Sequence, residues 1–207
     1  VLMAAYRTIG FPVTIVRPSH TYNGTKPPVA LHGNKGNWQI VKRILDGKPV
    51  IIHGDGSSLW TLTHSKDFAK GYVGLMGNAR AIGNTFHITS DESMTWNQIY
   101  ETIAQALDRP LQAVHVSSGF LADHAEQYDF RGELLGDKAA TVVFDNSKIK
   151  RFVPDFKCEV TIEEGLRNAV AFMLLHPETQ TPDPEFDAWC DRIIDAVQAA
   201  DRQFNKK

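Results

Sequence analysis

The sequence predicts an α/β fold in which short strands pair in parallel. Three observations carry that prediction. Short apolar runs with β-branched bias recur at Val13-Thr14-Ile15-Val16, Pro49 to His53 and Thr85 to Thr89, the pattern of strands buried on both faces. Segments with helical apolar spacing separate them, several opened by capping residues. The order is helix, strand, loop, helix, strand, helix, strand, helix, strand, then helices, which suits an alternating chain.

Residues 1–9 read as helix, with Gly10 where a C′ glycine belongs. The Val13–Val16 strand ends at Arg17-Pro18, and a segment rich in Gly, Pro and Asn runs from Ser19 to Gly36. Such a composition marks a loop, and a loop that long is often functional. Residues 37–46 form the next helix, followed by the strand Pro49–His53 and the turn Gly54-Asp55-Gly56. Trp60 to Thr63 reads as extended, and Ser65 as the cap of a helix from Lys66 to Met76. After the strand Thr85–Thr89, Thr95 and Gln98 have capping-box spacing for a helix to about Leu107.

Leu111 to Val116 alternates like a strand, residues 118–139 suit short helices, and Thr141–Phe144 reads as extended. Thr161 and Glu164 form a second capping box, for a helix to Leu175. Asp183-Pro184 starts the last one, which runs to Phe204. Ligands of open parallel sheets bind at the carboxyl ends of strands. That rule singles out Arg17 to Tyr22.

Composition narrows the function classes. The 22 basic and 24 acidic residues leave a net charge of −2, no basis for a nucleic-acid footprint. Cys158 and Cys190 match no metal or redox spacing, which suits a reducing, cytoplasmic setting. No apolar run reaches the ~18 residues of a membrane span, and no signal peptide is expected. The first residues, Val1 to Arg7, read as the middle of a helix with no start signal. The chain is therefore expected to be a piece of a longer protein.

Four segments, in order, resemble the extended short-chain dehydrogenases/reductases, the NAD-dependent epimerase/dehydratase proteins. They are Val13 to Pro18 with Ser19-His20-Thr21-Tyr22; Gly54-Asp55-Gly56 with Thr63-His64-Ser65-Lys66-Asp67; Asn84 to Ile88 with the Thr95-capped helix; and Asp145 to Lys148 with Thr161 to Leu166. The resemblance implies Rossmann-type parallel sheet elements plus the small mixed α/β substrate-binding domain of that family. Residues 1–36 would be a remnant of the dinucleotide-binding domain. Residues 37–175 would be the substrate-binding portion, with 84–107 returning to the Rossmann sheet, and 176–207 a C-terminal helix.

It also implies NAD or NADP as cofactor of the intact protein and a sugar or sugar-nucleotide-like substrate. The family's glycine-rich Gly-x-x-Gly-x-x-Gly turn, which cradles the pyrophosphate after the first strand, is expected to be absent from this chain, as is its Tyr-x-x-x-Lys pair. The catalytic Tyr-x-x-x-Lys belongs on a helix whose later turns resemble residues 1–9, so both residues are expected upstream of Val1. No catalytic residue is assigned within the chain. The isolated chain is expected to bind no cofactor and to show no turnover.

By the same resemblance, Pro18 and Ser19 match the loop beside the nicotinamide. His20 stands where a substrate-binding Asn often occurs, and Tyr22 matches the tyrosine that follows. Trp60 stands near the Arg that pairs with a nucleotide diphosphate in many members. An indole cannot neutralise a diphosphate, so either the substrate is not a nucleotide sugar or a residue such as Lys26 or Lys35 supplies the charge. Asp67 reads as a carboxylate in a helix's first turn. A core role for Trp60 and a packing role for Tyr22 are equally open.

A non-catalytic RNA-binding or other binding member of the family is the second reading. Against it stands the absence of a basic stripe. A Ser-His-Asp hydrolase is the third, but no Gly-x-Ser-x-Gly elbow occurs. The strand edges left open by a truncation are expected to drive self-association.

Overall fold

A computed structural model of the chain describes residues 1–125 and 127–204. Glu126, within the expected short helices of 118–139, and residues 205–207 of the expected C-terminal segment lie outside them. The structure is α/β, with short parallel strand pairs among many helices. It forms two compact units, each discontinuous in sequence. The first gathers Val1–Asn23, Thr61–Ser93 and Val142–Ile162; the second gathers Gly24–Trp60, Met94–Thr141 and Glu163–Lys207.

The first unit opens with helix α1 (Leu2–Ile9), which ends on Gly10 at φ 69°. Only glycine takes that left-handed cap freely. Strand β1 (Ile15–Pro18) pairs in parallel with β6 (Thr85–Ile88), Pro18 opposite Ile88. The strand thus starts two residues later than the apolar run predicts, because register with β6 sets it. A second parallel pair was not predicted: β2 (His20–Tyr22) lies against β5 (Leu62–His64), with Tyr22 opposite His64.

Helix α3 (Ser65–Leu75) is capped by His64, whose Nδ1 accepts the Lys66 amide at 3.2 Å, so Ser65 is not the cap. Helix α6 (Ser147–Phe152) completes the unit. The 3-10 turn Ala79–Ala81 sits between α3 and β6. Phe86 and Ile88 of β6, Leu75 of α3, Ile149 of α6 and Phe156 form the core. Phe86 meets Phe152 edge-on at 4.9 Å. Burying side chains of this size supplies most of the unit's stability, at ~1.5–3 kcal/mol each.

Asp67 is 0% exposed, and its oxygens accept from Lys70 Nζ at 2.9 Å and the Val160 amide at 3.0 Å. It ties a distant loop to α3 rather than serving only the helix dipole. Burial alone would raise its carboxyl; those two donors outweigh burial and hold it below the usual range.

The second unit pairs β3 (Val50–His53) with β8 (Ala113–Val116) in parallel, and β4 (Leu59–Trp60) with β7 (Met94–Thr95) antiparallel. The extended stretch expected at Trp60–Thr63 is therefore two strands, β4 and β5, that serve different units. Helices α2 (Trp38–Leu45), α4 (Trp96–Ala106), α5 (Ser118–Asp123), α7 (Ile162–Leu175) and α8 (Pro184–Phe204) join them, with a π-helical stretch at Arg131–Lys138. Thr95 and Gln98 make the full capping box of α4. Asp183 caps α8 by accepting the Phe186 amide at 3.2 Å. Thr141–Phe144 forms no strand beyond one bridge residue, Val142. Of the 84–107 stretch, β6 falls in the first unit and α4 in the second.

Arg43 is 0% exposed. Its guanidinium reaches Asp187 at 2.6 Å and Asp191 at 2.8 Å, and Lys48 meets the same two carboxylates. The Arg43 Nε donates to the Pro49 carbonyl at 2.9 Å. This network binds α2 to α8 where an apolar contact would otherwise stand.

Candidate functional site

The carboxyl ends of β1 and β6 lie side by side, because Pro18 is opposite Ile88 in a parallel register. Whatever follows those residues shares one end of the pair, the place where open parallel sheets bind ligands. Ser19 follows β1, and Thr89-Ser90 follows β6. β5 reaches the same end through Thr63, which is 0% exposed. Ser19 Oγ lies 2.7 Å from Thr63 Oγ1, and the Ser90 amide donates to that same oxygen at 2.8 Å.

Thr61, two residues earlier and just before β5, repeats the device. Its hydroxyl lies 2.8 Å from Ser93 Oγ and donates to the Val142 carbonyl at 3.2 Å. The segment between these anchors is held further. Asn146 donates to the Thr89 carbonyl at 2.8 Å and to Asp91 at 2.9 Å. The Ile162 amide donates to Glu92 at 2.7 Å. Burial alone would raise the Asp91 carboxyl; Lys150 and Asn146 prevail and hold it below the usual range. The strand ends therefore form a stiff, hydroxyl-lined rim.

Four of the residues singled out by sequence meet here. Pro18 is exposed, Ser19 and His20 are half-buried, and Tyr22 is buried. The Tyr22 ring meets His64 edge-on at 5.3 Å. The fifth, Trp60, lies in the second unit. It is buried, and its ring faces Trp96 at 5.6 Å, with His53 against the other ring at 5.4 Å. Thr63, Ser90 and Asn146 were missed. One signal was available: Thr61 and Thr63 alternate within an otherwise apolar run, which puts two hydroxyls on one strand face.

Two motif spacings occur literally, and neither has the required geometry. Gly71, Gly74 and Gly77 are three apart, as in a pyrophosphate cradle, but the first two lie within α3 rather than at a helix start. A Cβ on Gly71 would come within 2.7 Å of Ile88, and one on Gly74 would strike Val153. Gly71 and Gly74 admit close packing, and side chains occupy the space a phosphate would need there. Tyr22 and Lys26 have Tyr-x-x-x-Lys spacing. Tyr22 ends β2, and turn residues follow it, so the spacing is not one turn of helix.

Among the described residues no group of His, Cys, Asp and Glu could hold a metal ion. No described helix is long and apolar enough to cross a membrane.

Residues 1–89 match the NAD dependent epimerase/dehydratase family. A 2'-dehydrokanamycin reductase of Streptomyces kanamyceticus is 30% identical over 54% of this chain and 31% of its own length. An uncharacterized UDP-glucose epimerase of Bacillus subtilis is 24% identical over 81% of this chain and 46% of its own. Among solved structures, a dTDP-glucose 4,6-dehydratase of Bacillus anthracis in complex with NAD superposes with a TM-score of 0.62 at 20% identity, over 85% of this chain and 49% of that one. The chain thus spans under half the length of these two curated relatives.

Proposed function

From the premise that this chain is a relative of the NAD dependent epimerase/dehydratase family, which its residues 1–89 match, we propose that it is the substrate-side portion of an NAD(P)-dependent epimerase, dehydratase or reductase acting on a sugar or sugar-nucleotide-like substrate. The observation that carries this is the shared end of β1 and β6, where Pro18 and Ser19 stand at the ligand position of a parallel sheet. His20 and Tyr22 follow on the next strand, in reach of the same rim.

The residues present fit an edge contact to a nicotinamide through Pro18 and Ser19. They do not fit a pyrophosphate cradle, since in the one glycine series of that spacing Gly71 is packed by Ile88 and Phe156 and Gly74 by Val153, within α3. NAD or NADP would supply hydride transfer, and no described residue is assigned to cradle its pyrophosphate or to move the proton. The role of Pro18 is to fix the strand exit, and that of His20 to offer a ring nitrogen to a substrate hydroxyl. Trp60, buried against Trp96 in the second unit, is a core side chain rather than a phosphate contact.

Helix α1 leaves apolar side chains open to solvent. It buries no residue, and Ile9 is 78% exposed. We expect that face to drive self-association of the isolated chain, read by light scattering; a clean monomer at high concentration speaks against it.

The function is tested by following backbone amides during titration with UDP-glucose, with an amino sugar lacking a diphosphate, and with NAD⁺. The reading requires saturable shifts at Ser19, His20 and Tyr22 with at least one sugar. Shifts confined to other surfaces, or none, overturn it. Reduction of NAD⁺ by the chain would overturn the expectation that it shows no turnover by itself.

A further inference from the structure

The hydroxyls at the rim have a direction that proton accounting settles. A threonine hydroxyl has one proton and two acceptor sites. Thr63 Oγ1 spends one acceptor site on the Ser90 amide, 2.8 Å away. Ser19 Oγ is at 2.7 Å, and either oxygen could donate across that contact. If Ser19 donated, the Thr63 proton would need another acceptor. No other is recorded for it among the described residues, and Thr63 is fully buried. A buried donor left without a partner is far costlier than an unused lone pair.

If Thr63 donates to Ser19, its own buried proton is satisfied. The Ser19 proton is then left over, on a half-buried side chain that solvent or a ligand can reach.

We infer that Thr63 is a positioning residue that sets Ser19 as a hydrogen-bond donor, so that the ligand at this rim presents an acceptor oxygen to Ser19 Oγ. The inference rests on the reading of Ser19 as a ligand-facing residue. A carboxamide oxygen of a nicotinamide and a hydroxyl or carbonyl oxygen of a sugar share the required chemistry. A ligand group that can only donate, such as an ammonium, is disfavoured at this point. The Ser90 amide holds the Thr63 oxygen in place, so the two strand ends are read by one side chain that is remote from both in sequence.

The direction is tested without any ligand. Neutron diffraction from deuterium-exchanged crystals of the unmodified chain should place the Thr63 deuterium on the line to Ser19 Oγ. Density on the reverse donor overturns the inference.

The consequence is tested by titrating nicotinamide mononucleotide and, separately, UDP-glucose, with the Ser19 and Ser90 amide signals as readout. Whichever ligand binds, Ser19→Ala and Thr63→Val should each weaken it about fivefold, the double variant no further, and Thr63→Ser should restore it. A loss with Ser19→Ala but not with Thr63→Val removes the positioning role. If neither ligand moves Ser19, the ligand-facing reading of Ser19 fails, while the neutron map still decides the hydroxyl direction. That map also decides should Thr63→Val not fold.

Discussion

Replacing Arg43 with methionine keeps much of its volume and removes its charge, which isolates the ion network between α2 and α8. Removing one partner from a buried ion pair costs about 3–5 kcal/mol. Two features here reduce that. Lys48 remains at 2.7 Å from Asp187 and 3.1 Å from Asp191. The Asp191 side chain is 46% exposed and can rehydrate. Acting the other way, the Pro49 and Asp187 carbonyls each lose a donor, at about 1 kcal/mol apiece.

The expected loss is therefore ~2–4 kcal/mol, a fall of ~1–2 M in the urea midpoint at unchanged slope. Arg43→Lys keeps the charge and loses the planar fork, so a smaller loss is expected. Asp187→Asn combined with Arg43→Met should cost clearly less than the sum of the two. An Arg43→Met chain as stable as the parent, or more so, would refute the reasoning. Buried ion pairs elsewhere can be replaced without loss, so that outcome is physically available.

Two further outcomes follow from packing and burial. Gly74→Ala gains about 1 kcal/mol of helix propensity, but its Cβ would strike Val153, at ~1–3 kcal/mol. We expect a net lower thermal midpoint, whereas Gly119→Ala, with nothing within 4 Å of its new Cβ, should be neutral or stabilising; the reverse ranking would contradict the packing account. His53 donates from Nε2 to the Lys138 carbonyl at 3.0 Å in a buried site. Burial, with the Lys138 charge, holds its pKa below the ordinary 6.5. The unfolded chain therefore takes up a proton there before the folded chain does. Stability should fall as pH drops below that ordinary value, by up to ~1.4 kcal/mol per unit. His53→Gln should flatten that slope between pH 7.5 and 5.5 in urea titrations, and an unchanged slope counts against it.

Local signals were legible in the sequence. The capping box of Thr95 and Gln98 and the Asp183-Pro184 start both stand in the structure, because their partners lie within three residues. β1 was displaced, since its register comes from β6, about seventy positions away. β2 was hidden inside a turn-rich stretch, and three residues carry no periodicity that could reveal it. The Trp60–Thr63 run looked continuous, yet a unit boundary divides it.

The site shows the same division. Ser19, His20 and Tyr22 could be named from their place after a strand. Thr63 and Ser90 could not, because nothing in a sequence pairs a serine with a threonine 44 positions away. The glycines at 71, 74 and 77 are the converse case. Their spacing is that of a phosphate loop, and only the side chains packed on Gly71 and Gly74 show another use.

The central claim is that the rim at the shared end of β1 and β6 receives a sugar-like ligand at Ser19, His20 and Tyr22. Titrating the chain with UDP-glucose and with an amino sugar lacking a diphosphate, with its backbone amides as readout, tests it most directly. Saturable shifts at those three residues are predicted with at least one sugar. Shifts confined to other surfaces, or none, would contradict it.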